Sequence, residues 1–414
     1  MTPTSIRPSL PPSKLPHVGT TIFSTMSALA NEHGALNVAQ GFPDLDPPLT
    51  LRDAVKKAID DGVNQYSPMT GDPKLRLWIS EMYKGEHGAI YDIDNEITIG
   101  AGASSVIFAS IQALVHKGDE VIIVDPAYDL YAPAVHLAGG VIKRATLPLS
   151  PNKGEEEGAI DVSKIDELIS DKTRLVIINA PHNPTGACFT RKSLDELSII
   201  LSGTNIFLLS DEVYGPIVHD GRPFLSAASH RELHSRTMVF GSFGKLLHAT
   251  GWKIGWVAAP RFITKEIRKV HQYDVFSTGA PIQRGIANYL FTDQAKQHLS
   301  ELGPIYEAKR DRLLAGIKDT DFIFTPAEGG YFQIIDYSIL DKRSDIEVSR
   351  EWTIKHGLAT IPLSPFRDSG KSSALIERRV RICFAKDDNT IDETILKLCA
   401  IDAYYKSNRP LLDV

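Results

Sequence analysis

Short apolar runs without alternation recur along this chain, and most give way to a turn and then a helical stretch. Glu96–Gly100, Glu120–Val124, Gly140–Thr146, Thr173–Asn179, Ile206–Ser210, Thr237–Gly241 and Gly255–Ala258 read as strands. A strand with one wet face alternates apolar and polar residues; these mostly do not, so both of their faces are expected to be buried. Helices such as Val106–Val115 and Ser193–Leu201 lie between them. The pattern predicts an α/β fold, a mainly parallel seven-stranded sheet covered by helices.

The two ends read differently. Residues 1–18 are Pro-rich and read as an extended arm. Thr20–His33 reads as a helix with Ser24 or Thr25 as its cap and Met26, Leu29 and Ala30 as its apolar stripe. Leu36–Gln40 is a short strand, and Gly41–Pro48 is rich in turn residues. Helices follow at Leu49–Asp61, with Leu51, Ala54, Val55, Ala58 and Ile59 on one face, and at Pro73–His87. Arg261–Leu290 is mostly helical, and Gln294–Lys318 is a long amphipathic helix. Thr325–Asp336 reads as an alternating strand, Val348–His356 as a helix, Arg379–Phe384 as a strand and Ile391–Tyr405 as a closing helix. The expected division is an arm over 1–18, a large domain over 49–290, and a smaller α+β domain made of 19–48 with 291–414.

Composition narrows the classes of function. A net charge of −6 over 414 residues gives no basic excess for nucleic acid or anionic lipid. No apolar run approaches the ~18 residues of a membrane span, and residues 1–20 lack the apolar core of a signal peptide. Cys188, Cys383 and Cys399 are far apart and form no CxxC, which points to a reducing compartment such as the cytoplasm. His230 and His234 are four apart, but no acidic pattern accompanies them, and no metal site is expected.

The chemistry centres on Gly241–Trp256, where a strand delivers Lys245 into a Gly- and Ser-rich loop and Lys253 follows between glycines. Lys245 is a candidate Schiff-base former; the ordinary alternative is a surface lysine. A lysine Schiff base with pyridoxal phosphate needs an acid at the ring nitrogen, donors at the phenolic oxygen, N–H groups and cations at the phosphate, and an arginine for the substrate carboxylate. Asp211 ends the apolar run Ile206–Ser210, where open α/β sheets place ligands, though a lone Asp is more often a cap or turn residue. Asn183 in Pro-His-Asn-Pro-Thr-Gly and Tyr214 are candidates for the phenolic oxygen; the first motif is otherwise a tight turn. Gly102-Ala103-Ser104 sits between a strand and a helix, whose N-terminus offers free N–H groups, and Ser242 and Lys253 add a hydroxyl and a cation. Arg381 lies within an apolar strand and needs a partner; Arg379 shares its parity and could face water. Gly41 could allow close approach of a substrate. Phe240-Gly-Ser-Phe-Gly only half-matches a nucleophile elbow, since Phe240 holds the first glycine position.

The ordered set Gln40–Asp44, Gln65–Pro68, Pro181–Gly186, Asp211–Tyr214, Ser242–Lys245, Gly251–Trp256 and Arg381–Lys386 resembles fold-type I PLP-dependent aminotransferases. It is most similar to their methionine and kynurenine aminotransferase branch, over nearly the whole chain. The resemblance implies that Lys245 forms the aldimine with pyridoxal 5′-phosphate and shuttles the Cα proton. It implies that Asp211 pairs with the pyridinium, that Asn183 and Tyr214 hold the phenolic oxygen, and that Tyr128 stacks on the ring. Ala103, Ser104, Ser242 and Lys253 would hold the phosphate, with Tyr66 reaching across a homodimer to the partner's site. Arg381 would clamp the α-carboxylate, helped by Gly41 and Asn183. Lys253 departs from the arginine of many aminotransferases, and Gly241 and Ser104 replace a common serine and threonine. Phe23, Tyr128, Phe276 and Tyr331 fall where the family lines its substrate pocket, and no second arginine stands at a recognised position. The implied reaction is transamination of a large neutral L-amino acid (methionine, aromatic, kynurenine or glutamine) with a 2-oxo acid. A cysteine-S-conjugate β-lyase on the same scaffold is the alternative.

Overall fold

The computed structural model describes residues 10–147, 160–367 and 376–408. Residues 1–9 of the expected arm lie outside these; residues 10–18 form bends and one turn, with the Val18 N–H donating to the Leu15 carbonyl at 3.2 Å.

The strands, in chain order, are β1 (Leu36–Asn37), β2 (Ile97–Ala101), β3 (Glu120–Asp125), β4 (Val141–Thr146), β5 (Thr173–Asn179), β6 (Phe207–Asp211), β7 (Thr237–Ser242), β8 (Ile254–Ala258), β9 (Phe332–Asp336), β10 (Leu358–Ala359), β11 (Ile361–Pro362) and β12 (Arg379–Cys383). Seven of them form one sheet in the order β2-β8-β7-β6-β5-β3-β4. All run parallel except β8, which is antiparallel to both β2 and β7. Only residues 243–253 join β7 to β8, too few for a helical crossover into a parallel strand, so the chain folds straight back. That return places the start of β8 beside the end of β7.

The non-alternating pattern has the expected cause. Val121, Ile123, Leu175 and Ile177 enter one core cluster, whereas Ile122, Val124, Val176 and Ile178 enter another on the opposite face. Each fully buried side chain of this size contributes roughly 1.5–3 kcal/mol relative to exposure. Helix Ala103–Leu114 packs on helix Arg261–Asp274, and Leu49–Asp60 packs on Ala280–Leu290.

A second, antiparallel sheet has the order β11-β12-β9. The first strand and β10 pair in parallel, Leu36 opposite Leu358, and helix Ile22–His33 packs on Asp345–His356. The N-terminal segment is thus built into the C-terminal layer.

Several local expectations are corrected. The cap of the first helix is Thr21, whose hydroxyl accepts the Ser24 N–H at 3.2 Å, not Ser24 or Thr25. Ile59, expected on the buried face, is exposed, because the helix buries Leu51 and Ala58 instead. Of Thr325–Asp336 only Phe332–Asp336 is strand. The Gln333 side chain ties residues 325–331 into a loop, accepting from Ala327 N–H at 3.1 Å and donating to the Thr325 carbonyl at 2.8 Å. Of Leu36–Gln40 only two residues pair as strand; the Asn37 side chain accepts the Ala39 N–H at 3.1 Å and ends the ladder.

Candidate active site

The ends of β2, β3, β5, β6 and β7 and the start of β8 converge on one cavity, at the carboxyl edge of the parallel strands where such sheets bind ligands. The cavity is about 160 Å³, and Ala103, Ser104, Tyr128, Asn183, Asp211, Tyr214, Ser242, Lys245 and Lys253 line it. A second cavity of about 340 Å³ shares Tyr128, Asn183, Tyr214 and Lys245 with the first and adds Phe23, Gly41 and Arg381.

Asp211 ends β6 and is buried. Its Oδ2 accepts the Tyr131 hydroxyl at 2.6 Å, and no lysine or arginine lies within ion-pair distance among the described residues. Burial pushes its carboxyl up to about 6, opposed by the Tyr131 and Val213 hydrogen bonds and the charge of Lys245. An acid left this way is complementary to a protonated ring nitrogen, which would hold it ionised.

Lys245 sits one turn past the end of β7. Its Nζ donates to the Gly41 carbonyl at 3.1 Å and lies 5.4 Å from the Tyr214 ring and 5.5 Å from the Tyr331 ring. Burial lowers its pKa to about 8, with Arg381 and Lys253 among the charges pushing the same way. A lysine shifted so far offers a free amine near neutrality.

A helix N-terminus forms part of the cavity lining. Gly102 precedes helix Ala103–Leu114 with φ +77, and its first N–H groups open onto the cavity beside Ser104 and Ser242. A Cβ at Gly102 would come within 3.1 Å of Lys253 Nζ, so glycine leaves the space that the cation borders. Lys253 itself has φ +53, a left-handed conformation forced by the tight return into β8.

Arg381 is only 1% exposed. It donates to Asn183 Oδ1 at 2.6 Å and to the Ala39 carbonyl at 3.1 Å, and its Nε has no partner among the described residues. Its guanidinium lies 3.8 Å from the Phe332 ring centre, with Phe366 at 5.1 Å and Phe23 at 5.2 Å. No carboxylate pairs with it among the described residues, and burial lowers its pKa to about 10. A buried, unpaired guanidinium is costly unless an anion comes to it. Arg379 instead meets Glu377 at 2.6 Å near the surface.

Three expected residues stand elsewhere. Tyr331 lines neither cavity; it is buried behind them and donates its hydroxyl to the Gly41 carbonyl at 3.0 Å. Tyr66, 84% exposed, and Phe276, 46% exposed, pack edge-to-face on each other at 5.6 Å outside both cavities. The sequence reading missed Asn179, Tyr131 and Asp129. Asn179 ends β5 in register with Asp211 and was legible as a polar residue closing a buried strand. Nothing local marks Tyr131, which meets Asp211 only through the sheet order.

A ligand with an anionic group at the helix N-terminus and a protonated nitrogen at Asp211 fits the inner cavity, and an amino acid carboxylate fits Arg381. The family described as aminotransferase class I and II matches residues 34–398. The methionine aminotransferase of Escherichia coli K12 is 41% identical over 384 residues, covering 93% of this chain and 96% of that protein. The kynurenine–oxoglutarate transaminase of Dictyostelium discoideum is 32% identical, covering 92% of this chain and 94% of its own. The solved structure of N-succinyldiaminopimelate aminotransferase from Mycobacterium tuberculosis matches with a TM-score of 0.88 at 36% identity, covering 95% of this chain and 100% of that one.

Proposed function

The chain belongs to the class I and II aminotransferases, and on that premise we propose that it moves the amino group of a large neutral L-amino acid to a 2-oxo acid. Methionine, aromatic amino acids, kynurenine and glutamine are the donors proposed. The observation that carries the reading is the placement of Lys245, with its lowered pKa, in both cavities, one holding the unpaired acid Asp211 and the other the unpaired guanidinium of Arg381.

Pyridoxal 5′-phosphate is the cofactor of this family, and when bound it supplies an electron sink for negative charge developing at the substrate Cα. In our reading Lys245 would hold the cofactor, and its amine, once released by the incoming amino acid, would carry the proton from the substrate Cα to the cofactor C4′. Asp211 keeps the ring nitrogen protonated; the hydrogen bond from Tyr131 and the sheet around it orient the acid. Asn183 and Tyr214 donate to the phenolic oxygen, and Tyr128 covers the ring. The N–H groups at Ala103 and Ser104, the Ser242 hydroxyl and the Lys253 ammonium hold the phosphate. Arg381, with Gly41 and Asn183, holds the α-carboxylate, and Phe23 forms an apolar wall for the side chain. Tyr331 braces Gly41 from behind.

Tyr66 and Phe276 are assigned to a homodimer, in which Tyr66 completes the phosphate site of the partner and Phe276 travels with it. Residues 49–290 act as the cofactor-bearing domain, and 19–48 with 291–414 as the smaller one that brings Arg381. No described helix is long and apolar enough to cross a membrane. A cytoplasmic location is proposed on the three free cysteines, which are far apart in the sequence and form no CxxC.

The test is a donor panel with a neutral 2-oxo acid acceptor. Methionine, phenylalanine, kynurenine or glutamine should exceed aspartate in kcat/KM by tenfold or more. Aspartate turning over faster than all of them would overturn the substrate class.

A further inference from the structure

The outer cavity is lined by two cations, Lys245 and Arg381, and by one acid, Asp129. Both cations are already committed in the reading above, one to the cofactor and the other to the α-carboxylate. No cation of this chain's cavity lining remains for a second carboxylate.

Asp129 follows Tyr128 and has no ion pair and no side-chain hydrogen bond to another residue among the described residues, and burial raises its pKa. Asp129 and Arg381 line the same cavity, so a ligand held by the clamp shares that space with the acid. Phe23 and Phe332 line the same cavity together with the neutral polar side chains of Thr21, Gln40 and Asn183. A like charge brought close to Asp129 inside the cavity is repelled by it.

We propose that Asp129 is the specificity-determining residue for the substrate side chain, turning away amino acids and 2-oxo acids with a distal carboxylate while accepting neutral or hydrogen-donating ends. A carboxylate has only acceptor sites, so it receives a carboxamide or an aromatic amine but repels an isosteric acid. The inference rests on the cavity being the amino-acid site of an aminotransferase. It assigns the choice to one residue that the motif set did not include.

Glutamine and glutamate differ at one group in nearly equal volume and separate the charge effect from size. The holoenzyme and its Asp129→Asn and Asp129→Ser variants are assayed with both donors against one neutral 2-oxo acid. The wild type should favour glutamine, and both variants should shrink the glutamine-to-glutamate ratio of kcat/KM at least tenfold, mainly by gaining on glutamate. Any general effect on Arg381 or on the folded fraction cancels in the ratio. Ratios unchanged within twofold in both variants, with methionine still turned over by the wild type, overturn the role of Asp129 alone. A wild type that transaminates no amino acid overturns the functional reading itself, before any variant is compared.

Discussion

The Arg381 guanidinium donates to the Asn183 carboxamide oxygen at 2.6 Å, joining the middle of β12 to the loop after β5. The Asn183 N–H in turn donates to Asn179 Oδ1 at 2.7 Å, and Asn179 Nδ2 donates to the Asp211 carbonyl at 2.7 Å. One chain of hydrogen bonds therefore runs from the carboxylate clamp to the acid at the ring nitrogen.

Breaking that chain at Asn183 should loosen the clamp before it harms the chemistry. Asn183→Ala leaves Arg381 with a further unpaired donor in a buried site, a cost of about 1–3 kcal/mol. The amino donor KM should rise about tenfold or more, with a smaller fall in kcat. Steady-state kinetics with methionine checks this; an unchanged KM would count against the clamp geometry.

The buried acid makes apoprotein stability depend on pH in a definite direction. The Asp211 carboxyl moves from its ordinary 3.8 up to about 6 on burial, so the folded apoprotein holds the proton longer than the unfolded chain. Stability is then greatest below pH ~4 on this account and falls as pH rises through about 6, by roughly 3 kcal/mol in all. Apo wild type and Asp211→Asn, unfolded by denaturant at pH 4.5 and 7, should differ in this slope. In the holoenzyme Asp211→Asn should lower kcat by at least a hundredfold, because nothing then holds the ring nitrogen protonated.

Lys245 sets the pH dependence of cofactor loading. Its pKa is lowered from 10.5 to about 8, and only the free amine attacks the aldehyde. The rate of cofactor incorporation into apoprotein, followed by absorbance, should climb from pH 6 and level off above pH ~8, whereas an unshifted lysine would keep climbing past pH 10. Lys245→Ala should abolish turnover at every pH.

Lys253 tests the phosphate end. Lys253→Ala removes the cation bordering the Gly102 space, and cofactor affinity should fall about tenfold while excess cofactor restores turnover. Gly102→Ala adds strain at φ +77 and places a methyl group in the same space, so it should weaken cofactor binding further. Titration of apoprotein with cofactor reads both; loss of turnover that cofactor cannot rescue would argue against this assignment of Lys253.

Much of the architecture was legible locally. Runs such as Val121–Val124 and Leu175–Ile178 report burial on both faces through composition alone, and Pro73–His87 carries its own cap and stop in Asp72 and Gly88. The short ties were not legible. Gln333 bends residues 325–331 away from the strand that their alternation suggested, and Asn37 closes β1 after two residues.

The sequence by itself determined the sheet, the strand end carrying Asp211, the turn that delivers Lys245 and the strand-to-helix step at Gly102-Ala103-Ser104, because burial and turn chemistry are written in neighbouring residues, although the helix begins at Ala103 and not at Val106. Tertiary structure decided which of two arginines of equal parity becomes the clamp. Arg381 lies opposite Ile334 and Ile361 in the interior of its sheet, while Arg379 lies opposite Asp336 at the rim, near Glu377. It also decided that Tyr131 reaches Asp211, that Tyr66 and Phe276 stand outside the cavities, and that Asp129 shares a cavity with Arg381. The reason is range: periodicity reports whether a side chain is buried, but sheet order and register select the partner it meets many residues away.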